Sequence, residues 1–74
     1  MIKAIATTSS PMTVRDEQVL SFFVVEAGGT ITKTYLNGIA ADFETREQST
    51  TFQEWVTKSV DLRGHMAEMS IREA

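Results

Sequence analysis

Apolar and polar residues follow one another at changing rhythms along this chain, and each rhythm predicts a different element. Residues 2–8, IKAIATT, form a short apolar run rich in β-branched side chains, which reads as a strand. Its alternation is imperfect because Ala4, Ile5 and Ala6 are all small or apolar, a pattern suited to a strand buried on one face and partly covered on the other. Ser9, Ser10 and Pro11 end the run, since proline has no amide to donate and biases its predecessor toward extended backbone. Residues 12–18 then read as a polar crossover, in which Thr13 and Asp16 have the spacing to cap a single helical turn.

Residues 19–45, VLSFFVVEAGGTITKTYLNGIAADFET, carry the strongest β signal. They read as two hairpins in series, turning first at Ala27-Gly28-Gly29 and then at Asn37-Gly38. Asn-Gly supplies the positive φ values that a two-residue type I′ turn requires. Such a turn pairs Leu36 with Ile39, Tyr35 with Ala40 and Lys33 with Asp42, and the last pair sets opposite charges across from each other. Combining both registers places Leu20, Phe22, Val24, Leu36, Ile39, Ala41 and Phe43 on one uncharged face, the natural core. The second face carries Phe23, Val25, Ile31 and Tyr35 among Lys33, Asp42 and Glu44.

After Thr45 the period changes to that of a helix. Phe52, Trp55, Val56 and Val60 recur at helical spacing, with Thr51 and Glu54 as a capping box and Thr45 with Gln48 as an earlier start. Winding the segment at about 100° per residue brings Leu62, Met66, Met69 and Ile71 onto the same side and leaves His65 on the polar side. One helix running nearly to the C-terminus and a pair of helices broken between Ser59 and Gly64 both fit, because glycine costs about 1 kcal/mol inside a helix. The expected fold is α+β, a single domain over residues 1–74. A small antiparallel sheet of β-loop-βββ order is covered on one face by a C-terminal helix or helix pair.

Composition narrows the function. The 42% hydrophobic content is that of a globular chain, and 74 residues give one small core. The absence of cysteine excludes disulfides and thiolate zinc sites. Seven basic residues lie scattered in a chain of net charge −3, without the basic cluster that direct nucleic-acid contact needs. No window is long and apolar enough for a membrane span, and the opening Met-Ile-Lys does not begin a secretory signal, so a soluble cytoplasmic protein is expected. His65, the one histidine, has no second histidine to share a metal. Gly28-Gly29 lacks the following Lys-Ser/Thr and helix of a phosphate loop. Met66 and Met69 read as core packing. Asp42 and Glu44 point to the same side of a strand and serve more simply as solubilising rim residues than as an acid–base pair. No catalytic residue, cofactor or metal is expected, and the chain does not read as an enzyme.

What remains is the second sheet face. Its apolar centre of Phe23, Val25, Ile31 and Tyr35, rimmed by Lys33, Asp42 and Glu44, has the layout of a protein interface. Three covers are compatible with it: the first strand or the 9–18 loop, a second copy of the chain, or a foreign protein. The leading expectation is a non-enzymatic protein-binding module with those seven residues as its contact set. A structural homo-oligomer and a small enzyme or ligand binder with a pocket holding His65 or the Asp42/Glu44 pair are the alternatives.

Two segments bear on a family. Asp42-Phe43-Glu44-Thr45-Arg46-Glu47-Gln48, followed by residues 52–56, resembles the passage from last strand to first helix in a small phage anti-CRISPR protein acting on the type I-F surveillance complex. Residues 66–73, MAEMSIRE, are similar to that protein's closing helix. The resemblance implies an inhibitor that binds a backbone subunit of a host ribonucleoprotein defence complex with its sheet side and blocks target DNA without catalysis. It carries over no site residue; only Tyr35 corresponds, loosely, as an aromatic on that face.

Overall fold

The computed structural model describes residues 1–73. Strand β1 (Ile2–Thr8) leads to helix α1 (Val14–Glu26), then to strands β2 (Thr30–Tyr35) and β3 (Gly38–Phe43), helix α2 (Arg46–Lys58) and strand β4 (Met66–Glu73). The four strands form one sheet in the order β2-β3-β1-β4, and every neighbouring pair is antiparallel. Each β-α-β unit is therefore split by a strand of the other, the β-α-β-β-α-β arrangement. The class is α+β with an antiparallel sheet, as expected. Ile2, Ala4 and Ala6 of β1 face Phe43, Ala41 and Ile39 of β3 in register. These six pack with Val19, Leu20 and Val24 of α1 and Phe52 and Val56 of α2 in one buried cluster. Both helices thus cover the same side of the sheet.

Helix α1 corrects the first half of the expected double hairpin. Residues 19–26 are helical although their β-branched and aromatic side chains favour strands, because both ends are capped. The Thr13 hydroxyl accepts from the Asp16 amide at 3.0 Å, and the Asp16 carboxylate accepts from the Thr13 amide at 3.1 Å. This full capping box satisfies two of the donors that a helix start leaves unpaired. At the other end Gly28 takes φ +92°. Its amide donates to the Val25 carbonyl at 3.0 Å and the Gly29 amide donates to Val24 at 2.9 Å. That is a Schellman end, so the Ala27-Gly28-Gly29 turn closes a helix and does not join two strands.

The second hairpin forms, but in another register. Tyr35 faces Gly38, Lys33 faces Ala40 and Thr30 faces Asp42, with a bulge between Ile31 and Lys33. The expected Lys33–Asp42 pair is therefore absent. Leu36 and Asn37 make the turn, and neither they nor Gly38 have positive φ. Gly38 is needed for a different reason. It faces Thr7 of β1, and a Cβ there would run into the Ala6 carbonyl oxygen.

Helix α2 starts at the earlier of the two expected caps. The Thr45 hydroxyl accepts from the Gln48 amide at 3.2 Å, and the Gln48 side chain accepts from the Glu44 amide at 3.0 Å and from that of Thr45 at 3.4 Å. It ends at Lys58, and the expected C-terminal helix does not continue. Turns carry the chain past buried Leu62 and Gly64, whose φ is +79°, into β4. Residues 66–73 pair along the outer edge of β1 from Ile2–Glu73 to Thr8–Met66. The apolar spacing of Met66, Met69 and Ile71 fits a helix and also nearly fits a strand. The open donors and acceptors of β1 decide between them.

Candidate protein-binding surface

The seven residues expected to share one sheet face are distributed over two layers. Phe23 and Val25 lie on α1, where Phe23 is half-buried against the core and Val25 is 66% exposed. Ile31 faces Ala41 and also packs against the core, so it belongs to the helix side. Lys33 and Tyr35 remain together on β2, with the Lys33 ammonium 5.1 Å from the Tyr35 ring centroid in a cation–π contact. Asp42 lies between Thr30 of β2 and Lys3 of β1, and its Oδ1 is buried with no hydrogen-bond partner among the described residues. Glu44 is exposed beyond the end of β3. The uncovered sheet face is built from Lys3, Ile5, Thr7, Ala40, Asp42, Glu68, Ser70 and Arg72, with Thr30, Lys33 and Tyr35 on its β2 edge; apart from half-buried Ile5 and exposed Tyr35 these are charged, polar or small. It has no apolar centre.

An apolar surface exists instead on the helix layer. Helices α1 and α2 touch side by side, and a shallow groove of about 470 Å³ runs over their junction. Phe22, Phe23 and Glu26 line it from α1, and Trp55, Lys58 and Ser59 from α2 and its end. Phe23 is the floor, its ring centroid 6.2 Å from that of Phe22 and 5.9 Å from that of Trp55, both tilted. Phe22 is 59% exposed and Trp55 38%. A second hollow continues along α1 past Val19 to Arg15, whose guanidinium meets the Asp61 carboxylate at 3.2 Å. Tilted aromatic pairs of this spacing are a favoured packing geometry.

Phe22 and Trp55 were not among the expected contact residues. The sequence pattern places Phe22 on the core face of a strand and Trp55 on the inward arc of a helix. Only the helical winding of residues 14–26 brings out the signal, for it places Val14, Phe22 and Val25 on one outer stripe, opposite buried Leu20. All three are exposed.

His65 also lies elsewhere than expected, in the turn before β4 and not on a helix face. Its Nδ1 stands 3.0 Å from Oδ1 of buried Asp16, and its carbonyl accepts from the amide and hydroxyl of Ser9 at 2.8 and 3.1 Å. The hydrogen bond from His65 is the chief cause holding the Asp16 carboxyl below its ordinary value, with the Thr13 amide adding to it and burial opposing it. The pair ties the start of α1 to the entry of β4. A carboxylate on Nδ1 can also orient a general base, but His65 and Asp16 do not line the groove. Among the described residues no three acidic or histidine side chains gather in a metal-binding group, and no helix is long and apolar enough to cross a membrane.

Comparison of the chain with family models, with characterised proteins and with solved structures gives no match.

Proposed function

We propose that this chain is a non-enzymatic protein-binding module and that its contact surface is the groove between α1 and α2. The observation carrying this reading is the aromatic trio of Phe22, Phe23 and Trp55, kept partly in water on an otherwise ordinary small domain. Exposed aromatics over an apolar floor are the groups that dominate binding energy at protein interfaces. The occupant is an amphipathic helix of another protein, laid along the junction with its apolar side chains over Phe23. Glu26 and Lys58 at the rim favour a helix carrying a basic and an acidic residue beside its apolar stripe. In the inhibitor form of this proposal, that helix belongs to a protein subunit of a ribonucleoprotein defence complex in the host cytoplasm.

Selection from a displayed library of amphipathic helical peptides tests the groove directly. Peptides enriched on the wild type are expected to lose about tenfold or more in affinity for a Phe22→Ala/Trp55→Ala variant. Its urea midpoint serves as the control for folding. Failure to enrich any peptide, or enriched peptides that bind the folded variant equally well, would refute this surface.

A further inference from the structure

The two edges of the sheet differ in a way that points to a partner. Strand β2 is short and carries a bulge between Ile31 and Lys33. Bulges and lysines of this kind blunt an edge against pairing. Strand β4 is the longest of the four and has no proline, and its one irregularity against β1 lies at its start, opposite Thr7 and Thr8. From Glu68 onward its outer edge is a regular, unpaired template.

We propose that two copies of this chain join through β4, antiparallel about a two-fold axis at Ser70, into a single eight-stranded sheet. The sequence of β4 is complementary to itself in this register. Glu68 falls opposite Arg72 of the second copy, Met69 opposite Ile71, and Ser70 opposite Ser70. Within residues 68–72 each apolar or charged residue meets its complement on the same face, and both copies keep their helices on one side. A slip of two residues sets Ser70 against Glu68 or Arg72 and loses both ion pairs.

Three observations on the single chain support the match. Arg72 faces Lys3 directly across the β1–β4 ladder, a like-charge pair of the kind that destabilises a sheet. Asp42 flanks Lys3 on the far side, so the row reads Asp42, Lys3, Arg72 and lacks a closing negative charge. Glu68 of the second copy would occupy that place. Neither Glu68 nor Arg72 has an ion-pair partner among the described residues. Finally, Met69 and Ile71 are half-buried at the margin of the core, beside a hollow of about 320 Å³ whose lining includes Val56, Leu62, Met66 and Met69. A strand added at this edge brings a second Ile71 next to Met69 and covers that margin.

Charge exchange tests the register as well as the surface. Sedimentation across about a hundredfold range of concentration should show the wild type passing from monomer to dimer, as mass action requires. Glu68→Arg and Arg72→Glu, taken singly, put like charges across the axis and should each weaken the dimer about tenfold or more. Mixed in equal amounts, the two variants restore both ion pairs, so a heterodimer of near wild-type affinity is expected. Recovery on mixing also shows that neither variant has lost its fold. The proposal is overturned by a wild type that stays monomeric, by variants that dimerise as well as wild type, or by a mixture that fails to associate while both components are folded. It is equally overturned by a dimer that the Phe22→Ala/Trp55→Ala substitutions abolish, which would place the contact on the helices.

Discussion

The two helices have the same length, begin with the same device and lie on the same side of the sheet, yet they present opposite surfaces to solvent. In α2 the apolar residues Phe52 and Val56 face inward and Gln53, Glu54, Thr57 and Lys58 face outward, with Trp55 partly exposed only where α2 borders α1. In α1 buried Leu20 and Val24 are matched on the outer side by exposed Val14, Phe22 and Val25. The comparison separates two things that usually coincide. A helix needs an inward apolar stripe and satisfied ends; a polar outer face is needed only for solubility. Where the outer face is apolar without structural need, interaction is the economical explanation.

Substitutions can break this equivalence of the inner faces or sharpen the contrast of the outer ones. The largest effects belong to the core: Phe52→Ala should cost about 3–5 kcal/mol and Leu20→Ala about 2–5 kcal/mol in urea unfolding, since both side chains are fully buried. A Leu20→Ala cost near zero would mean that α1 does not share the core with α2. Next comes the cap that only α1 ties to another element. Asp16 titrates below its ordinary value in the folded chain, chiefly through His65, so the folded state binds fewer protons than the unfolded state under acid conditions. Its contribution is complete above the unfolded value of 3.8 and disappears as pH falls through the lowered folded value. Asp16→Asn should cost about 1–3 kcal/mol at neutral pH and flatten the acid limb of the stability profile. An unchanged acid limb would detach Asp16 from it. Smallest are the hydroxyl caps: Thr13→Ala and Thr45→Ala should each cost about 1 kcal/mol. A much larger loss for Thr13 would show that α1 depends on its cap more than α2 does.

These differences also explain how much could be read before the structure. Strand β1, a hairpin between β2 and β3, the Thr45 start of α2 and the α+β class were all legible, because each leaves a local signal. Helix α1 was not, since its outer stripe erased the 3.6-residue period and left VLSFFVV looking like a strand. Thr13 and Asp16 marked its start, and Gly28 its end, in the positions expected of caps. Strand β4 was hidden for a different reason. Its partner β1 lies at the other end of the chain, and Met66, Met69 and Ile71 suit two periods. The candidate surface suffered accordingly. Phe23 was singled out through a sheet geometry that does not exist, while Phe22 and Trp55 could be joined only after both helices were in place. Local sequence preference and final structure disagree along α1, where the outer stripe of Val14, Phe22 and Val25 is apolar and exposed.

The pairing of Ile2 with Glu73 has a consequence for the order in which the molecule is made. Strand β1 is synthesised first, yet both of its neighbours arrive later, β3 from mid-chain and β4 from the last residues described. During translation its apolar face and both sets of backbone groups wait for partners. The β2–β3 hairpin and the two capped helices can form from local contacts, whereas joining the ends requires a long loop to close before any contact repays it. The β1–β4 seam therefore carries the largest loop-closure cost in the sheet, and a nascent chain halted in the 59–65 turns holds an unfinished sheet with its central strand at the edge.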